Sequence, residues 1–293
     1  MHKKSNKLTI GFLAVKKLIV NADDFGLSQN INFGILDSFR NGILTSATFM
    51  VNMPAFEHAA SLAKENPNLD TGLHLNITTG FPVAHYYKIP SLVCSSGRFK
   101  YSSAQLLYNS LGKKLKIHEI YIELKAQVEK FLNIGLNLSH IDSHHHFHIF
   151  PTILPVVIQL TKEYKIPAIR LPYEKFTGND ILKILKPNKR KIVQLVLFFI
   201  NIFNKRFYSF NSIYRTDHFF GISTTGSLNK KSLKQILYRM KEGVTEIMTH
   251  PGYIDTSFFQ PGIWLKEQRE AEVKALTNTE IKKFVKENNI ILT

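Results

Sequence analysis

Only one cysteine, Cys94, occurs in 293 residues. A lone thiol excludes an intramolecular disulfide framework and leaves too few thiolates for a cysteine-based zinc site, so any metal has to be held by imidazole and carboxylate. A reducing cytoplasm is compatible with that. Long apolar runs are also missing, since none approaches the roughly 18 uninterrupted residues of a membrane span. The nearest, 192–203, is broken by Gln194 and Asn201 and flanked by Lys186, Lys189, Arg190, Lys191, Lys205 and Arg206. That pattern predicts a buried helix of an insertion, in preference to a helix lying on an anionic membrane surface. Acidic residues are scarce, 22 against 38 Lys and Arg, for a formal charge of +16. Such a balance predicts attraction to polyanions. The lysines are scattered over most predicted helices, and no helix-turn-helix, zinc-finger or RNP-type pattern is present, so nucleic acid is set aside as a partner.

What the chain does have is histidine in one place. The run His140-Ile141-Asp142-Ser143-His144-His145-His146-Phe147-His148 holds five imidazoles and a carboxylate in nine residues. Neutral imidazoles beside a carboxylate are ligands for a divalent metal. A terminal tag or a solvated tract would be uninterrupted, whereas this run lies mid-chain, alternates with Ile141 and Phe147, and follows an amphipathic segment as the end of a buried strand does.

Apolar periodicity predicts strands at 17–24, 47–52, 70–78, 139–144, 168–171, 216–222 and 246–249, with helices at 28–41, 55–65, 117–133, 152–164, 233–242 and 267–288. Strands alternating with helices imply parallel pairing and an α/β fold. About seven such strands suit a TIM-barrel-like (β/α) barrel, closed or nearly closed, better than a doubly wound sheet, although strand order cannot be read from sequence alone. The expected organisation is a leader extension, 1–16, then one catalytic domain, 17–293, with insertions near 79–115 and 173–214. Both insertions follow strand ends and overhang the face where barrel enzymes work. The leader has a basic start, but its apolar run is short and no small-x-small cleavage site follows.

The chemistry-bearing residues fall at those strand ends. Asp23 and Asp24 follow Leu18-Ile19-Val20, and because adjacent strand residues point to opposite sides, one can bind a metal while the other reaches past it to a water. The bland alternative is a turn, or a cap for the helix beginning near Ser28. His74 stands alone in an apolar strand, where a hydrogen-bonded core histidine is the commoner finding. His250 precedes Pro251-Gly252 at a strand-to-loop junction, placed for general-acid work or simply exposed. An Asp with two His leaves coordination sites open for water and substrate, the pattern of a catalytic metal and of amide or ester hydrolysis.

The motifs VNADDFGLS, GLHLN, HIDSHHHFHIFP, RLPYE and THPG, in that order from about residue 17 past residue 250, resemble the YdjC-like carbohydrate deacetylases, including chitooligosaccharide and hopanoid-biosynthesis deacetylases. The resemblance implies a TIM-barrel-like fold and metal-dependent removal of an N-acetyl group from an amino sugar. It also implies Asp24, His74 and His144 as metal ligands, Asp23 as general base and His250 as general acid. His140, Asp142, His146 and His148 are then partners behind the ligands or sugar contacts, and Arg170 and Glu174 line the site. The ion is magnesium by the family's usual description, while imidazole ligands suit zinc. The basic, apolar stretch 183–210 departs from the pattern and suggests a lipid-linked or polymer-embedded sugar met at an anionic membrane surface. The expected protein is cytoplasmic, peripheral to a membrane, and compatible with a homodimer. A phosphoester or cyclic-amide hydrolase, and a non-catalytic polyanion-binding protein, are the competing readings.

Overall fold

The computed structural model describes residues 15–175, 189–209, 213–254, 265 and 267–293. All but the last residues of the expected leader, and part of the 173–214 insertion, lie outside these.

Seven strands form one curled parallel sheet: β1 Lys16–Phe25, β2 Ser46–Phe49, β3 Asp70–Leu75, β4 His140–Ser143, β5 Ala168–Ile169, β6 His218–Phe220 and β7 Gly243–Thr249. Their order is β5-β4-β3-β2-β1-β7-β6, an α/β barrel left open between β5 and β6. The helices around it are α1 Gln29–Asn41, α2 Phe56–Lys64, α3 Ser103–Leu111, α4 Ile117–Leu132, α5 Leu154–Glu163, α6 Lys189–Ser209, α7 Lys230–Arg239, α8 Glu267–Leu276 and α9 Thr279–Glu287. A short strand, β8 Ile290–Leu292, pairs with Lys16–Leu18 of β1, along the stretch of β1 that precedes its pairing with β2 at Asn21.

Period-two alternation gives the sheet two unlike faces. Leu18, Val20, Ala47, Phe49, Leu73, Ile141 and Ile247 are buried toward the helices. There Phe49 meets Phe25, Phe56 and Phe131 with ring centroids at 4.6, 6.1 and 5.4 Å, joining β1 and β2 to α2 and α4. Each fully buried ring contributes about 1.5–3 kcal/mol. The opposite parity lines the barrel and is polar: Asn21, Asp23, Thr48, His74, Asp142 and Arg170 are all buried. Register sets them side by side, with His74 opposite Asp142 and Thr48 opposite Gly72.

Four expectations need correcting. The single terminal helix is two, α8 and α9, separated at Asn278, whose side chain caps the second by accepting from Glu280 N–H. The stretch 79–115 contains a helix, α3, started by a capping box of Ser102 and Gln105. The strand expected to run through His144 stops at Ser143, and His144–Ile149 forms a 3-10 turn with His145 and His146 at φ 61° and 58°. The run 192–203 is helical but is not a buried helix, because Ile192, Leu195, Phe199, Ile202 and Phe203 are exposed.

Candidate active site

The end of β1 does not keep strict alternation. Pairing with β2 slips between Ala22 and Phe25, and Asp24 adopts a left-handed conformation at φ 69°. The two aspartates therefore both turn into the barrel mouth instead of to opposite sides, and both are buried. A non-glycine residue held at positive φ costs on the order of 1 kcal/mol or more and persists only where its surroundings hold it there. Here Arg269 of α8 donates to Asp24 Oδ2.

Asp24 Oδ1 lies 3.6 Å from His74 Nε2 and 3.2 Å from His144 Nδ1. Asp24 Oδ1, His74 Nε2 and His144 Nε2 are buried with no hydrogen-bond partner among the described residues. One ligand atom from each of the three residues can be chosen so that all lie within 4.8 Å of one another. Unsatisfied buried polar atoms are costly, and three converging donors of this kind fit a divalent ion. His74 presents its other nitrogen, Nδ1, to Asp142 Oδ1 at 2.7 Å, and Thr48 Oγ1 donates to Asp142 Oδ2 at 3.2 Å. A carboxylate behind the imidazole fixes its orientation and raises its basicity toward a metal.

Arg170 joins the carboxylates. Its guanidinium donates to both oxygens of Asp23, at 2.7 and 2.8 Å, contacts Asp142, and reaches Glu246 at 2.6 Å through Nε. Burial by itself would raise Asp23, but Arg170, then His74 and His250, outweigh it and hold the carboxyl well below its ordinary range. Burial likewise opposes charge on His74, yet Asp142, Asp23 and Asp24 together raise it to about 9. His250 Nε2 stands 3.8 Å from Asp23 Oδ2. Burial pushes His250 down to about 4 despite those two aspartates, so the resting imidazole is neutral.

The remaining residues expected from the sequence divide. His148 is fully buried, bonded to Ser143 Oγ at 2.7 Å and to the Arg170 carbonyl at 3.0 Å, so it fastens the turn carrying His144 to the strand end carrying Arg170. His146 lies in the same turn, pushed well below its ordinary value by burial and by Arg170. Glu174 accepts from Ser223 N–H at 2.9 Å and from its hydroxyl, tying the segment after β5 to the loop after β6. His140 is not brought to the triad. It opens β4, bonds Ser139 Oγ at 2.7 Å, and lines a cavity of about 240 Å³ at the amino-terminal end of the strands. A Cβ on Gly72 would sit 2.5 Å from its ring, so glycine there makes room for it.

Two residues the sequence reading missed come from α8. Glu272 accepts from the His250 N–H at 2.6 Å, and Arg269 reaches the His250 carbonyl at 3.4 Å as well as Asp24. One helix thus holds the peptide of His250 from both sides and steadies a ligand aspartate. The signal was available: Arg269, Glu272, Val273 and Leu276 fall at i, i+3, i+4 and i+7, the inward stripe, where two charges have no reason to be without a partner.

The chain as a whole is similar to known proteins. The carbohydrate deacetylase of Brevibacillus brevis is 39% identical over 277 residues, covering 94% of this chain and 97% of that protein. The carbohydrate deacetylase of Geobacillus stearothermophilus is 36% identical over 261 residues, covering 89% of each. Among solved structures, a protein of Enterococcus faecalis V583, provisionally assigned as a cellobiose-phosphate cleavage protein, superimposes with a TM-score of 0.73 at 28% identity, over 95% of this chain and 97% of that one. Residues 17–287 match the family described as YdjC-like protein, and the chain belongs to that family.

Proposed function

We propose that the protein is a metal-dependent hydrolase that removes the acetyl group from an N-acetylated amino sugar. The observation that carries the reading is that Asp24, His74 and His144 can each offer a ligand atom within 4.8 Å of the others, with Asp24 Oδ1 and His74 Nε2 buried and unsatisfied, beside the Asp23 and His250 pair. The names of the Brevibacillus and Geobacillus relatives support the carbohydrate amide as substrate. One divalent ion, Mg²⁺ or Zn²⁺, would be held by Asp24, His74 and His144; two imidazoles and one carboxylate suit Zn²⁺ better on ligand chemistry. When bound, the ion supplies Lewis-acid polarisation of the amide carbonyl and of water.

The chain's own residues do the rest. Asp23, aimed by the bidentate grip of Arg170, takes a proton from the attacking water. The proton Asp23 takes from the water passes across the 3.8 Å to His250, whose imidazole is neutral at rest. The imidazolium so formed delivers it to the departing nitrogen as the carbon–nitrogen bond breaks, leaving acetate, a free amino sugar and both residues in their starting state. Exposed Phe81, Tyr86 and Tyr87, in the segment following β3, offer flat apolar surfaces against which a sugar ring can stack.

A second reading, cleavage of a phosphorylated sugar, draws support from the assignment of the Enterococcus protein. One assay separates the two. Metal-loaded protein incubated with N-acetylglucosamine oligomers is expected to release acetate and yield products lacking one acetyl by mass spectrometry. Release of phosphate from sugar phosphates, with acetylated oligomers untouched, would replace the first reading with the second.

A further inference from the structure

Helix α6 is apolar on both sides: Leu197 and Ile200 are buried, as in an ordinary surface helix, yet large apolar side chains also face outward. Gln194, Asn201 and Asn204 point inward and are at most 5% exposed, whereas Ile192, Phe199 and Ile202 point outward at 53, 60 and 51%. Two of the inward amides donate to backbone: Asn201 to the carbonyls of Pro172 and Leu197 at 3.2 and 2.8 Å, and Asn204 to that of Ile149 at 2.6 Å. The outward residues 192, 195, 199, 202 and 203 recur at i, i+3, i+7, i+10 and i+11, one continuous apolar stripe. Several large side chains presented together on one face mark an interaction surface and not scattered exposure.

Charge selects what covers it. Between positions 181 and 216 the sequence has eight Lys or Arg and no Asp or Glu, with basic residues at both ends of the stripe, in a chain of net charge +16. Pairing this stripe with that of a second copy would bring cations against cations at both ends, in either helix direction. An anionic lipid surface instead satisfies the apolar centre and both basic ends at once. No helix among the described residues is long and apolar enough to cross a membrane, so the stripe would lie on the surface and not span it.

The geometry points to α6 as an interfacial helix that docks the protein on an anionic bilayer. The carbonyls it grips belong to Ile149, the last residue of the histidine-rich turn, and to Pro172, just after β5, on the rim that carries the site. If the proposed deacetylase reading holds, docking would present that rim to N-acetyl sugars borne on lipid.

Vesicle binding is read without substrate, so its outcome is independent of the enzymatic reading. Full-length protein is floated with phosphatidylcholine vesicles, with and without phosphatidylglycerol. Binding is expected only to the anionic vesicles, weakening as salt is raised to about 0.15 M or beyond. Phe199→Glu with Ile202→Glu should reduce that binding about tenfold or more while leaving hydrolysis of a soluble substrate unchanged. Phe199→Trp, which keeps the apolar face, should show blue-shifted emission with anionic vesicles only. The inference is overturned if anionic vesicles do not bind, if the double variant binds like the parent, if the tryptophan emission is unmoved, or if the parent is a dimer that the double variant separates without any vesicle uptake.

Discussion

At the scale of single residues, the two adjacent aspartates separate a ligand from a proton acceptor, and substitution distinguishes them. Asp23→Asn is expected to keep bound metal while turnover falls about 10²- to 10⁴-fold, because it removes a base and not a ligand. His74→Ala and His144→Ala should lose metal instead, read by elemental analysis after dialysis; loss of metal in Asp23→Asn would reverse the assignment. Asp142→Asn, which weakens the support behind His74, should lower metal affinity about 10- to 100-fold. Glu272 makes a prediction about pH. Burial raises its carboxyl from 4.5 to about 8, against the His250 N–H and Arg269. The folded state therefore holds this proton more tightly than the unfolded chain does. That contribution to stability is complete below the unfolded value and is lost as pH rises through about 8, at about 1.4 kcal/mol per unit. Glu272→Gln keeps an acceptor for His250 and cannot ionise. Denaturant titrations should show the parent losing stability relative to this variant between pH 5 and pH 8, roughly the window set by the two values; parallel curves would refute the buried proton.

At the scale of elements, the site depends on how closely α1 approaches the loop after β7. A Cβ on Gly34 would lie 2.4 Å from the Gly252 Cα, so the helix and the His250-Pro251-Gly252 segment touch backbone to backbone. Gly34→Ala must push that segment away. The expected result is a loss in kcat of about 10²-fold for roughly 1 Å of misplacement, with metal affinity close to normal because Asp24, His74 and His144 come from other elements. Steady-state kinetics and a metal titration of one preparation check both parts. The same scale shows where periodicity stopped being informative. The capping box at Ser102 and Gln105 was readable in the sequence, but the irregular stretch around it concealed a nine-residue helix. The break at Asn278 was hidden because the apolar positions on either side continue a helical rhythm that only the cap interrupts. Strand β8 is three residues long and finds its place only because β1 extends beyond its partner β2.

For the whole molecule, ligand binding is coupled to folding. The triad draws Asp24 from β1, His74 from β3 and His144 from the turn after β4, so an ion held there ties together parts of the chain 120 residues apart in sequence, from position 24 to 144. Saturating Zn²⁺ or Mg²⁺ should raise the melting temperature, with a stabilisation near 2.7 kcal/mol at about 100 times Kd. His74→Ala should abolish the shift; an equal shift in that variant would mean the ion binds elsewhere.

Parallel strands, their approximate number and the candidate site residues at their ends follow from local pattern, because alternation and helical spacing are properties of a few neighbouring residues, whereas the open edge between β5 and β6 does not. The same holds for Asp23, Asp24, His74, His144 and His250, which sit at strand ends that periodicity can locate. Three-dimensional packing decided the rest. It turned both aspartates inward through a bulge and a positive φ, gathered Asp23, Asp142 and Glu246 around Arg170, left His140 at the far end of the barrel, brought Arg269 and Glu272 back from α8, and exposed an apolar side of α6. Burial and charge pairing depend on residues distant in sequence meeting in space, and a hydropathy pattern shows which face of a helix is apolar without showing which face the fold covers.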